Sequence, residues 1–129
     1  MITGVGKVVL YVEDQQIARQ FWTEVMDFEL AQDTEYGEER WLEVRAPNGV
    51  VLVLSKRPAE QDLRHEEVPD QLPHSNAFFE CDDVTRTHEE LSARGVTFPQ
   101  PPIEYPWGWW AMFEDPDGTR YALRPADPG

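Results

Sequence analysis

This chain of 129 residues has one cysteine, Cys81, so no disulfide can form within it. No apolar run approaches the roughly 20 residues that a membrane-crossing helix needs, and no signal-peptide pattern opens the chain. Basic residues are scarce: 11 Lys and Arg stand against 25 Asp and Glu, a formal net charge of −14. Phosphate backbones and anionic lipid surfaces are bound by clustered Lys and Arg, so neither nucleic acid nor a membrane is an expected partner. Histidine is equally sparse. His65, His74 and His88 are the three present, and none stands at metal-ligand spacing from another or from Cys81. These absences lead to the expectation of a cytoplasmic protein. The acidic excess is either a solvated face or an attraction for a cationic small molecule, and charge by itself does not separate the two.

The main positive signal is an internal repeat. Shifted by 69 residues, Asp14 falls on Asp83, Pro47-Asn48-Gly49 on Pro116-Asp117-Gly118, and Leu54 on Leu123. Val8, Leu10 and Val12 fall on Ala77, Phe79 and Cys81, so an apolar alternation repeats as well. A long unit occurring twice indicates a duplicated module rather than a solenoid, whose units are shorter and more numerous. Two such halves can pair about a pseudo-twofold, and their meeting place is the natural position for a site.

Each half carries the same elements. Period-two patterning at Lys7–Val12 predicts a strand. Asp14 is positioned as a helix N-cap before Ile17, Phe21, Trp22, Val25 and Met26, which recur at helical spacing. Residues 28–46 read as strands around Tyr36-Gly37-Glu38, and Val50–Leu54 follows a glycine turn. In the second half a strand is predicted at Asn76–Cys81. Asp83 caps a helix whose Val84, His88 and Leu91 share a face, and Gly95 ends it. Further strands are predicted at Thr97–Ile103, Trp109–Phe113 and Thr119–Arg124. The reading is one domain of two βαβββ modules, about 5–55 and 74–124, joined by a Pro- and charge-rich linker at 56–73. Cys81 shares a strand face with Ala77 and Phe79, which suits a small core residue rather than a nucleophile.

Paired βαβββ modules, a Val-Glu-Asp close to the first strand, and Trp-Gly followed by Phe113-Glu114-Asp115-Pro116-Asp117-Gly118 resemble the vicinal oxygen chelate superfamily. That group includes glyoxalase I, extradiol dioxygenases and bleomycin-resistance proteins. The resemblance runs from about Val5 to Arg124. It implies an α+β fold in which curved mixed sheets surround a cavity, helices cover the outer face, and two chains often pair to complete the cavity. A homodimer is therefore expected. Enzymes of the superfamily hold a divalent metal through side chains on the first and last strands of each module. By the resemblance those places are Lys7, Val53, Asn76 and Ala122 in this chain. An ammonium and two hydrocarbon side chains are not metal donors, and Asn76 offers only a weak carbonyl oxygen. No metal and no other cofactor is expected. His74 lies two residues before Asn76, and a register change is the route by which a histidine would reach that place.

Without a metal, the cavity must act by shape, stacking and hydrogen bonds. Alternation assigns Lys7, Val9, Tyr11, Val51, Val53 and Ser55 to one face of the first module. It assigns Asn76, Phe78, Glu80, Arg120, Ala122 and Arg124 to the matching face of the second. The valines suit ordinary packing, whereas Lys7, Asn76 and Glu80 need partners if buried. A Lys7–Glu80 ion pair is one solution, and general acid–base work by Lys7, Tyr11 or Glu80 is another. Three of five tryptophans cluster at Trp107-Gly108-Trp109-Trp110. Alternation sends Trp109 and Trp110 to opposite faces, one toward a helix and the other toward the cavity. Trp107, between Pro106 and Gly108, suits a rim. The candidate ligand-binding set is thus Lys7, Tyr11, Asn76, Phe78, Glu80, Trp107, Trp109, Trp110 and Arg120. Aromatic walls with scattered acids suit a flat aromatic or cationic small molecule, while Trp enrichment also suits a dimer interface. Three functions follow: a metal-independent binding protein that sequesters such a compound, an enzyme of the lyase, isomerase or dioxygenase kind on a small substrate, or a regulatory or scaffolding dimer.

Overall fold

Strand β1, Lys7–Val12, buries Leu10 and Val12 and exposes Val9 and Tyr11, as its period-two pattern requires. The computed structural model describes residues 1–58, 68–75 and 77–127. The chain divides into two compact units, Met1–Asp62 and Leu63–Gly129.

In the first unit the Asp14 side chain accepts from the backbone N–H groups of Gln16 and Ile17 and starts helix α1, Gln15–Gln20. The helix widens into a π-helical turn, Phe21–Val25, that buries Phe21 and Trp22. Met26 N–H reaches back to the Phe21 carbonyl, and Asp27, at φ 63°, ends the helix. Ile17, expected on the core stripe, is exposed; the buried stripe is Ala18, Phe21 and Trp22. Gln15 Nε2 donates to the carbonyls of Arg40 and Leu54, tying the start of α1 to the sheet. That sheet contains β2 (Glu29–Tyr36), β3 (Glu39–Arg45) and β4 (Val51–Lys56) in the order β1-β4-β3-β2. β1 and β4 are parallel and the other pairs antiparallel.

The second unit repeats this plan with β5 (Phe78–Cys81), α2 (Val84–Ala93), β6 (Ile103–Tyr105), β7 (Gly108–Glu114) and β8 (Arg120–Pro125), ordered β5-β8-β7-β6. Asp83 caps α2 through the N–H of Arg86. At the other end Gly95 N–H meets the Ser92 carbonyl and Val96 N–H the Leu91 carbonyl, a Schellman closure. The strand expected over Thr97–Ile103 is not formed as such. Thr97 makes an isolated bridge to Glu114, and pairing resumes only at Ile103. Pro99, Pro101 and Pro102 lie between, and proline has no N–H to give a ladder.

The repeat extends to individual register partners. Val9↔Val53 and Tyr11↔Ser55 become Phe78↔Ala122 and Glu80↔Arg124. Glu43↔Val53 becomes Met112↔Ala122, and Thr34↔Trp41 becomes Ile103↔Trp110. The glycine turns match too. Gly49 N–H donates to Ala46 O at 2.8 Å and Gly118 N–H to Asp115 O at 2.9 Å, with φ of 95° and 79° at the two glycines. A side chain is strained at such angles, so the two sequence marks are backbone requirements. The fold is α+β, two modules each with a four-stranded mixed sheet and its own helix. Among the described residues, no helix is long and apolar enough to cross a membrane.

Candidate functional site

On the first sheet, the face away from Leu10 and Val12 carries Lys7, Val9 and Tyr11, set beside Val51, Val53 and Ser55 of β4. The β3–β4 register adds Glu43 opposite Val53 and Arg45 opposite Val51, with Trp41 two residues before Glu43. Val51 and Val53 are buried. Lys7 Nζ lies 2.6 Å from Glu43 Oε2, and Trp41 Nε1 donates to the same oxygen, also at 2.6 Å. The Glu43 side chain is 6% exposed and that of Lys7 51%. The Lys7 ammonium holds the Glu43 carboxyl below its usual range; burial opposes it less strongly, and the Trp41 N–H adds a smaller lowering. Lys7 thus has a partner within its own module, Glu43, that the sequence did not suggest. Glu43 itself escaped the sequence reading. It looked like one acid among 25, and only the β3–β4 register places it on this face.

On the second sheet the corresponding face carries Phe78 and Glu80 of β5, Ala122 and Arg124 of β8, and Met112 of β7. Trp110, two residues before Met112, shares that face and meets Phe78 edge-on at 6.0 Å. Trp109 falls instead on the side of Ala111 and Phe113, the side on which α2 packs. Trp107 is 53% exposed, approaches Trp110 edge-on at 6.3 Å and stacks parallel to Tyr105 at 5.5 Å. The Arg124 guanidinium carbon sits 4.9 Å from the Trp107 ring centroid. At Gly108, next to Trp107, the backbone takes φ 138°, an angle that L side chains rarely adopt.

Arg120 reaches the other way, donating from Nε to the Leu72 carbonyl and from a terminal nitrogen to the Pro69 carbonyl. His74 Nδ1 accepts the Arg120 backbone N–H at 2.8 Å, a structural role for the histidine nearest the site in sequence. His88 lies edge-on to Phe98. Cys81 is half-buried, and burial pushes its thiol up, away from thiolate chemistry. Asn76 and His65 lie outside the described residues. Below the aromatic face, Asp115 is buried at the glycine turn. It accepts from the N–H groups of Asp117 and Thr119 and from the Tyr121 hydroxyl at 2.8 Å. Burial pushes the Asp115 carboxyl up despite these donors and pushes the Tyr121 hydroxyl up as well, so Asp115 and Tyr121 form a structural lock.

The donor chemistry does not fit the divalent metal of the superfamily's enzymes. By the resemblance, Lys7, Val53 and Ala122 take three of its four places and none of these side chains is a metal donor, while on the first sheet the Glu43 carboxylate is engaged by Lys7 and Trp41. Among the described residues, no group of three or more His, Cys, Asp or Glu is placed to hold a metal ion. The two faces offer aromatic surface, one tethered ammonium on the first and, on the second, the Arg124 guanidinium, which donates to Asp127 Oδ1 at 2.6 Å.

Comparison with known proteins agrees with this architecture. The profile of the Glyoxalase/Bleomycin resistance protein/Dioxygenase superfamily matches residues 4–123. An uncharacterized protein of Bacillus subtilis (strain 168), YetH, is 38% identical over 125 residues, covering 96% of this chain and 99% of that one. The crystal structure of UcmS2 is 30% identical with a TM-score of 0.77, covering 98% of this chain and all (100%) of that one. TnmS3, an antibiotic binding protein from Streptomyces sp. CB03234, is 31% identical with a TM-score of 0.74, covering 98% of both chains. By sequence profile, relatives and fold together, the chain belongs to the Glyoxalase/Bleomycin resistance protein/Dioxygenase superfamily.

Proposed function

We propose that this protein is a metal-independent binder of a flat, aromatic small molecule, of the kind that sequesters a compound rather than transforms it. The observation that carries the reading is the run of rings Tyr105, Trp107, Trp110 and Phe78 on the second module, with Trp107 and Phe78 more than half exposed. Exposed aromatic surface of this extent is uncommon on a protein that binds nothing, because each ring left in water forfeits its burial. The likeness to TnmS3, an antibiotic binding protein, supports the same reading. Of the two ligand classes that the sequence suggests, the flat aromatic one is favoured over the cationic one. Arg124 already occupies the cation position on Trp107, and an incoming cation would have to displace it. Titrating a panel of planar aromatic compounds against the protein's tryptophan fluorescence tests the proposal, and silence across the panel refutes it.

The same exposed rings favour one second reading, a contact between two copies of the chain, since interfaces also enrich Trp and Tyr. In that case ring removal changes the oligomeric state and leaves ligand titrations unaltered.

A further inference from the structure

The first module carries a polar feature that the aromatic face of the second does not use. Glu43 is buried in β3, fixed by Trp41 Nε1, and its partner Lys7 stays half open to solvent. An ammonium has three donors. Among the described residues its one partner is Glu43, through Oε2 at 2.6 Å, which leaves two donors for an acceptor from outside. A surface lysine normally spreads over many rotamers, and ordering it costs conformational entropy when a ligand binds. Here the buried carboxylate has already restrained it. Val9 and Tyr11 follow at two-residue steps on the same face of β1, Trp41 stands beside Glu43, and all three are exposed. A ring attached to the acceptor therefore meets apolar and aromatic surface next to the charge.

We propose that Lys7, held by Glu43 and flanked by Val9, Tyr11 and Trp41, is a recognition point for an aromatic acid, its carboxylate or phenolate oxygen taking the two remaining ammonium donors. The carboxylate of the pair is not open to a cationic group in the same way. It lies beneath the ammonium and already accepts from both Lys7 and Trp41. The chain's net charge of −14 opposes an anion at long range. That repulsion is screened beyond roughly 8 Å at physiological salt, whereas the contact with Lys7 is made at about 3 Å, where a charge-assisted hydrogen bond dominates.

The probes are 2-naphthoate and 2-naphthylmethylammonium, which share the ring and differ in charge. Binding is followed by the shift of the Trp41 indole N–H resonance, assigned with Trp41→Phe. The expected result is that naphthoate binds and shifts this resonance, and that the ammonium probe binds roughly 10-fold more weakly or not at all. Lys7→Met loses naphthoate affinity by a similar factor, while Lys7→Arg keeps most of it. Thermal melts of Lys7→Met and Lys7→Arg establish that the comparison is between folded proteins. The proposal is overturned by any of three results: equal affinity for the two probes, naphthoate binding that is intact in folded Lys7→Met, or no response of the Trp41 resonance to naphthoate. Because the proposed flat-ligand site is read through Trp107 and this one through Trp41 and Lys7, either can fail with the other intact.

Discussion

Phe78 on β5 and Trp110 on β7 meet edge to face, 6.0 Å between ring centroids, although β8 runs between their strands. Ala122 on that central strand is fully buried, opposite Phe78 on one side and opposite Met112, two residues after Trp110, on the other. A small side chain there lets two large rings lean over the central strand and share one face. Ala122→Leu is accordingly expected to destabilise by about 1–3 kcal/mol, because the added volume has no void to enter. It should also separate Phe78 from Trp110. Chemical denaturation measures the first effect and the Trp110 fluorescence the second.

The Lys7–Glu43 pair has a pH signature. Glu43's carboxyl is held below its ordinary range in the folded chain. The stability it contributes is complete above the unfolded carboxyl's value, about pH 4.3, and is lost as pH falls through the lowered folded value. Lys7→Met should cost about 1 kcal/mol near neutral pH, a modest figure because Lys7 is half exposed and water screens the pair. The difference between variant and parent should narrow steadily below pH 4.3 or so, where Glu43 becomes protonated in the variant and then in the parent. Urea melts at a series of pH values measure it, and a difference that stays constant into acid contradicts the assignment.

Asp115 supports the second glycine turn through three accepted hydrogen bonds, from Asp117 N–H, Thr119 N–H and the Tyr121 hydroxyl. Asp115→Ala leaves these donors without their acceptor in a buried position and should cost about 2–4 kcal/mol. Asp115→Asn keeps one carbonyl oxygen for the two backbone donors and offers an amide to the tyrosine oxygen, so its cost should be less than half as large. Equal losses in the two variants would mean that the turn depends on charge rather than on hydrogen-bond geometry.

Purified protein is expected to carry no stoichiometric divalent transition metal, since Lys7, Val53 and Ala122 offer no donor at three family positions and Glu43 is ion-paired. Elemental analysis giving about one such metal per chain would contradict that.

Much of the fold was legible because its determinants are local. Asp14 and Asp83 cap helices, Gly49 and Gly118 take left-handed φ, and alternation alone separated Leu10 and Val12 from Val9 and Tyr11. The prolines after Thr97 show where the local reading failed. β-branched and apolar residues suggested a strand, yet without enough N–H donors only one bridge formed before Ile103. The sheet faces were legible, but the partners across each face were not. Alternation placed Lys7 correctly and left open which of Trp109 and Trp110 joined Phe78. Register, a long-range property of strand pairing, determined that it is Trp110 and brought Glu43 to Lys7. No pattern near residue 43 distinguishes that carboxylate from the solvated acids around it.

The exposed rings around Trp107 are proposed to bind a flat small molecule. The most direct test of that proposal is a fluorescence titration of a planar aromatic compound, selected by quenching of the parent protein, against Trp107→Ala, with thermal melts of both. The expected result is a loss of about 1–3 kcal/mol in binding, with little change in melting temperature because a half-exposed ring leaves no closed void. Unaltered affinity, together with a marked drop in melting temperature or a change of oligomeric state, would contradict it and assign the rings to packing or to an interface.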